Sequence, residues 1–207
     1  MTGLLLKDIL YLKRQLKMLL IIFAFYAVLL VTTGSHIEQF NAIFITLIVM
    51  LPMLIITNSF AYDELSKWDI YSLSLPVTKG KIVLCKYLLT SLMTCLAALF
   101  PLAVNALSGN TNPETLAGIY AAFFAALVLC GILIPLFYKF GTQKARIALL
   151  AIVMVPTLGT LLLKNMKVSM PGNAEIEFWL KLSPVFLIPF FVGSYFVSRH
   201  IFQNKEI

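Results

Sequence analysis

Acidic side chains are scarce in this sequence, nine Asp and Glu against sixteen Lys and Arg, and none of them falls deep inside a long apolar run. That lack argues against an ion-coupled carrier or a proton pump, because an ionisable group within a membrane is costly and is kept for a function. Histidine is scarcer still. His36 sits two residues from Glu38, His200 lies far along the chain, and no H-E-x-x-H pattern or third clustered ligand occurs, so no metal site is expected. The three cysteines, Cys85, Cys95 and Cys130, form no C-x-x-C and read as unpaired small hydrophobes within or at the edge of apolar segments. No phosphate-binding G-x-x-x-x-G-K-[ST] loop is present. Any work driven by ATP must therefore draw on an ATPase supplied by another chain. No nucleophile–base pair can be assembled either, so the chain does not read as an enzyme.

What the sequence has in abundance is apolar length. Of its 207 residues, 60% are hydrophobic and 12% charged, with a mean hydropathy of +0.94. A soluble domain of this size has no interior large enough to hide so much apolar surface. The apolar runs are continuous rather than alternating, which selects membrane helices of roughly 20 residues each over a β-barrel. The expected architecture is all-α: a polytopic integral membrane protein forming one domain over residues 1–207, with six transmembrane helices. The spans fall at about 18–33, 40–61, 84–106, 116–138, 147–163 and 182–198, with Pro52, Pro101 and Pro156 inside three of them. Proline is tolerated there because neighbouring helices satisfy the freed carbonyls. The start of the chain lacks the pattern of a cleaved leader, and residues 1–207 are read as the mature protein.

Before the first span, Leu5, Ile9, Leu12 and Leu16 recur at helical spacing among Lys7, Asp8, Lys13, Arg14 and Lys17. Residues 4–17 read as an amphipathic helix along the membrane surface, the alternative being a plain basic lead-in. Six spans place both termini on one side. That side then carries the basic residues of the N-terminus, of the loop after span two, of the 139–146 turn and of the tail. The other side has only Lys164, Lys167 and Lys181. The bias puts both termini in the cytoplasm. The net charge of +7 is thus a flanking pattern, with no nucleic-acid partner implied. The two halves share no convincing internal repeat, so an inverted-repeat transporter is not expected.

In span four, Gly118, Ala122 and Ala126 lie four residues apart, a stripe that lets helices approach closely, either at a dimer interface or within one subunit. The longest polar interruption in the first half is Asn58–Lys86, with a loop core at about 62–81. Leu65, Trp68, Tyr71 or Ser72, and Leu75 recur every three or four positions. They suggest a short surface helix with Lys67 and Asp69 toward water or a partner, ended at Pro76, which disfavours α geometry in the residue before it. A helix, a bend and a direct run into span three suit mechanical coupling, and equally suit a simple surface loop.

Within this loop, Tyr62-Asp63-Glu64, Trp68-Asp69, Ser74-Leu75-Pro76-Val77 and Lys86-Tyr87-Leu88 form a pattern that resembles the ABC-2 type family of ABC transporter permeases, in particular its small six-span bacterial branch of peptide and antimicrobial exporters. The layout of the whole chain resembles that family too. The resemblance implies a bacterial plasma-membrane permease subunit with no cofactor of its own. ATP and Mg would belong to a cytoplasmic ABC ATPase subunit, and a homodimer or heterodimer with a sister permease would move an amphipathic or lipophilic substrate outward through membrane lipids. On this chain it implies that Asp63, Glu64, Lys67, Trp68 and Asp69 face the ATPase or stabilise the loop, and that Pro76 fixes the bend. It likewise implies that Lys7, Asp8 and Arg14 form an N-terminal brace. The 164–181 segment is either a gate or a connector. The competing functions are a membrane anchor or regulatory subunit, whose loop only recruits a partner, and an ion-coupled secondary carrier.

Overall fold

The structure is a computed structural model that describes residues 6–8, 10, 21, 37–74, 77–107, 112–165 and 173–204, with backbone alone at 37–40, 69, 73, 107, 153, 155–165 and 173–181. These residues fold into helices: α1 (Ile37–Leu65), the short α2 (Trp68–Leu73), α3 (Lys79–Leu107), α4 (Pro113–Asn165) and α5 (Asn173–Gln203). Leu6, Lys7, Asp8, Leu10 and Ile21 are also helical.

Among the described residues four helices are long and apolar enough to cross a membrane, Asn41–Leu65, Lys79–Ala106, Pro113–Ile152 and Leu182–Gln203. The expected first span, 18–33, lies outside the described residues apart from Ile21, and most of the 4–17 segment does as well. α4 has 53 residues; as a straight rod it would measure about 80 Å, far beyond a bilayer. It is not straight. Gly141 has φ 75° and ψ 176°, a region that essentially only glycine occupies, and it breaks the helix into two arms. The basic turn expected at 139–146 is thus a one-residue break, with helix on either side.

α1 runs to Leu65, two turns past the apolar run, because the polar residues from Asn58 onward include no helix breaker. Lys67, in the left-handed conformation at φ 49°, then separates α1 from α2. α3 begins at Lys79, earlier than its apolar stretch and with Gly80 in its first turn, where Lys81 N–H donates to the Thr78 carbonyl at 2.9 Å. α1 packs on α3 and α4, and α5 closes against α3 and α4.

The main core sits toward the α1–α3 loop. Met53, Ile56 and Phe60 of α1 meet Ile82 and Val83 of α3, Leu133, Ile134 and Phe137 of α4 and Phe202 of α5. Phe60 stacks on Phe137 at 4.9 Å between centroids and meets Tyr138 edge-on at 5.0 Å. The small-residue stripe of α4 faces a second cluster. Ala122 and Ala126 are buried with Ile48, Ala98 and Ile119, and a Cβ at Gly118 would come within 3.1 Å of Ile45 Cδ1. In this chain the stripe therefore seats α1. Large side chains such as Leu92, Leu96, Leu99, Phe186 and Phe196 point outward; lipid is as apolar as they are, so close packing, not burial, selects which faces meet.

Candidate functional site

The loop between α1 and α3 is held from beneath by a compact ionic cluster. Ser59 and Asp63 lie four apart on α1, hence on one face, and that face is turned to Lys86 of α3 and to Lys7 and Asp8. Lys86 Nζ lies 2.7 Å from Asp63 Oδ2 and 3.0 Å from Asp8 Oδ1, and donates to Ser59 Oγ at 2.5 Å. Lys7 Nζ donates to the other Asp63 oxygen at 2.6 Å and lies 3.5 Å from Asp8 Oδ1. Ser59 in turn donates to Asp8 Oδ1 at 3.4 Å.

Asp8, Ser59, Asp63 and Lys86 are all buried. Two lysines face two aspartates, so the cluster is neutral as a whole, which is how charge is accommodated away from water. Its members come from three distant parts of the chain, and each carboxylate is shared by two cations. The N-terminal segment, the end of α1 and the start of α3 are thereby tied at one point.

α2 is attached to the same point. Lys7 Nζ stands 3.8 Å from the centroid of the Trp68 ring, a cation–π contact. Around it α2 is open: Leu65 just before it, Ile70 on the side away from Trp68, and Tyr71, whose ring stacks along Trp68 at 6.4 Å, are 81%, 57% and 67% exposed. Beside Trp68 lies a cavity of about 100 Å³ lined by Phe60, Asp63, Glu64, Tyr138 and Thr142 among others. Trp68 Nε1 is buried there without a hydrogen-bond partner among the described residues, and the space suffices for water to serve it.

Glu64 turns the other way. Its Oε2 accepts from the Thr142 backbone N–H at 3.0 Å and from the Thr142 hydroxyl, so it caps the second arm of α4 just past Gly141. A Cβ at Gly141 would meet nothing closer than Glu64 Oε1 at 3.7 Å; backbone conformation, not space, requires the glycine. The end of α1 is thus linked to the break in α4.

Two more polar pairs lie between helices. Asn41 and Asn105 exchange reciprocal amide hydrogen bonds of 3.2 and 2.7 Å at the far ends of α1 and α3. Tyr87 Oη pairs with Ser194 and Ser198 at 2.6 and 2.8 Å, while Ser194 also donates to the Gly131 carbonyl.

Of the residues singled out from the sequence, the structure brings together Lys7, Asp8, Asp63 and Trp68, and places Glu64 at the α4 break. Lys67 is exposed at the α1–α2 junction. Arg14 and Pro76 lie outside the described residues, as does the Asp69 side chain. Sequence reasoning missed Lys86 and Ser59 as members of the site. The signal was present in Lys86, a lone cation a little way into an apolar run; Ser59 carried none. Among the described residues no group of three or more His, Cys, Asp and Glu could hold a metal.

Among the described residues the buried charges of the cluster are paired with one another, and the surface beside it exposes Leu65, Lys67, Ile70 and Tyr71. The cluster ties the N-terminal segment, α1 and α3 together at one end of the helical bundle. No curated protein and no solved structure matches the chain. A family model described as "ABC-2 family transporter protein" matches residues 3–203, nearly the whole sequence, and the chain belongs to that family of transporter membrane proteins.

Proposed function

We propose that this chain is the permease subunit of an ATP-binding cassette exporter, with six spans and both termini in the cytoplasm. It moves an amphipathic or lipophilic substrate, of which antimicrobial or cytolytic peptides are one class, out of the cell as a dimer with itself or a sister permease. ATP and Mg are bound by a separate cytoplasmic ATPase subunit. The family supports the transporter membrane component. The low charge of the helical faces supports an amphipathic or lipophilic substrate.

The observation that carries the coupling role is that α2 is anchored to the ionic cluster while apolar side chains on and beside it stand exposed. Trp68 is pinned through Lys7 to the ionic cluster, Tyr71 stacks along Trp68, and Leu65, Ile70 and Tyr71 are offered to solvent. Exposed apolar side chains on a polar loop outside the bilayer suit a protein partner. A push on α2 is passed to α1 and α3 through Asp63 and Lys86, and to α4 through Glu64 and Thr142. The ATPase face is then Leu65, Lys67, Ile70 and Tyr71, while Lys7, Asp8 and Asp63 serve as the brace behind it.

The test is a mild-detergent pull-down of the tagged chain with its native partners, followed by measurement of ATP hydrolysis. Recovery of an ATPase in equal numbers with permease chains is expected, and its loss in the I70D/Y71D variant, with the monodispersity of the permease retained. Recovery of the chain without an ATPase under gentle extraction would refute the exporter reading and favour a carrier. An ATPase that binds but is never stimulated would favour an anchor.

A further inference from the structure

Where the start of α3 meets the end of α5, two hollows abut. The outer one, about 300 Å³, is lined by Thr78, Lys79, Gly80, Lys81, Arg199 and Gln203 among others. The inner one, about 510 Å³, has apolar walls that include Leu84, Leu88, Leu127, Ile188, Phe191 and Phe196. Leu84 and Tyr195 border both, so a polar mouth leads into an apolar groove along the α3–α5 seam.

The mouth carries charge of one sign. Lys81 and Arg199 are exposed, no carboxylate lines the hollow, and among the described residues neither cation takes part in an ion pair. Lys79 is committed elsewhere, donating to the Phe202 and Gln203 carbonyls at 3.4 and 3.2 Å and closing the end of α5. Gly80 lies close against α5: a Cβ there would stand 3.4 Å, ordinary contact, from both Arg199 Nε and Tyr195 Oη.

The dimensions fit one leaflet. From Lys81 at the mouth to Ser91 at the inner end of the groove is ten residues of helix, or about 15 Å, half of the roughly 30 Å hydrocarbon thickness. The Lys and Arg distribution puts this end of the bundle at the cytoplasmic face, where anionic lipids are enriched and basic pockets between helices bind their headgroups.

We propose that the α3–α5 seam is a binding site for an anionic phospholipid of the cytoplasmic leaflet, its phosphate held by Lys81 and Arg199 and one acyl chain lying in the groove past Leu84 and Leu88. The site selects headgroup charge at the mouth and acyl length along the groove. It goes beyond the exporter reading, and it needs membrane insertion but no ATPase.

The test is native mass spectrometry of the full-length protein in mild detergent, with phosphatidylglycerol and phosphatidylcholine of identical acyl chains added in turn. At least a tenfold preference for phosphatidylglycerol is expected. The K81Q/R199Q variant, altered at two exposed positions, should lose that preference while still binding phosphatidylcholine weakly. The L88W variant should weaken both lipids by filling the groove. Gel filtration establishes that each variant remains folded. Equal binding of the two lipids, or a preference unchanged in K81Q/R199Q, overturns the proposal. Displacement by inorganic phosphate at the lipid's own concentration overturns it in favour of a free-anion site. A disulfide-linked dimer through L88C that excludes lipid overturns it in favour of a second copy of the chain. The lipid readout does not involve ATP hydrolysis, so its failure is distinguishable from failure of the exporter reading.

Discussion

Lys86 Nζ stands 2.7 Å from Asp63 Oδ2 with both residues buried, and this pair joins the end of α1 to the start of α3 beneath the loop that connects them. Each partner also holds a member of the N-terminal segment, Asp63 taking Lys7 and Lys86 taking Asp8. The pair anchors the loop, and with Lys7 and Asp8 it keeps the buried charge neutral and holds the group against which Trp68 of α2 rests.

Removal of one charge from the cluster leaves its partner buried and uncompensated, which costs about 3–5 kcal/mol in a buried pair. Lys86→Met is therefore expected to lower the thermal midpoint of the purified protein sharply. Lys86→Met combined with Asp63→Asn restores neutrality and should recover much of the loss. Thermal unfolding followed by fluorescence-detected gel filtration measures both. Equal midpoints for Lys86→Met and the native chain would count against a structural role for the pair.

Glu64 and Gly141 together shape the break in α4. Gly141→Ala forces a side chain into a backbone region that costs about 1–3 kcal/mol, and Glu64→Ala removes a cap worth about 0.5–2 kcal/mol. Hydrogen exchange should quicken at the Thr142 amide in Glu64→Ala, leaving α3 unaffected. Protection at Thr142 equal to that of the native chain would contradict the cap.

The Asn41–Asn105 pair predicts a non-additive double mutant. Asn105→Leu strands the buried Asn41 amide, at about 1–3 kcal/mol. Asn41→Leu costs less, because Asn105 Nδ2 also donates to the Pro101 carbonyl at 2.8 Å, and changing both removes the unmet need of the pair. A cycle of thermal midpoints for the two single variants and the double variant reads the coupling directly. Simple additivity would show that the two amides act independently.

Orientation is open to direct labelling. In a background with Cys85, Cys95 and Cys130 replaced, a cysteine at Asn110 is expected to react with a membrane-impermeant maleimide added to intact cells, and one at Thr78 only after the cells are opened. The opposite pattern would invert the topology.

The sequence by itself determined the helical membrane character, because continuous apolar runs have no soluble or barrel solution. The clustering of basic residues beside the apolar runs was legible as well, since it is read along the chain and needs no fold. The family pattern in the α1–α3 loop was visible for the same reason, as a local string of residues. What only the tertiary structure decided was the direction in which each charge faces. Asp63 and Glu64 are neighbours in sequence, yet a helix turns adjacent residues by about 100°. One therefore meets Lys7 and Lys86 in the interior while the other caps α4 at Thr142. Whether the Gly118–Ala126 stripe packed within the chain or against another copy depended likewise on where α1 comes to lie, and Ile45 and Ile48 fill that place. Lys86 shows the limit most plainly. Its position in an apolar run was legible, but its role is a relation to Asp8, Ser59 and Asp63, and such relations exist only once the helices have packed.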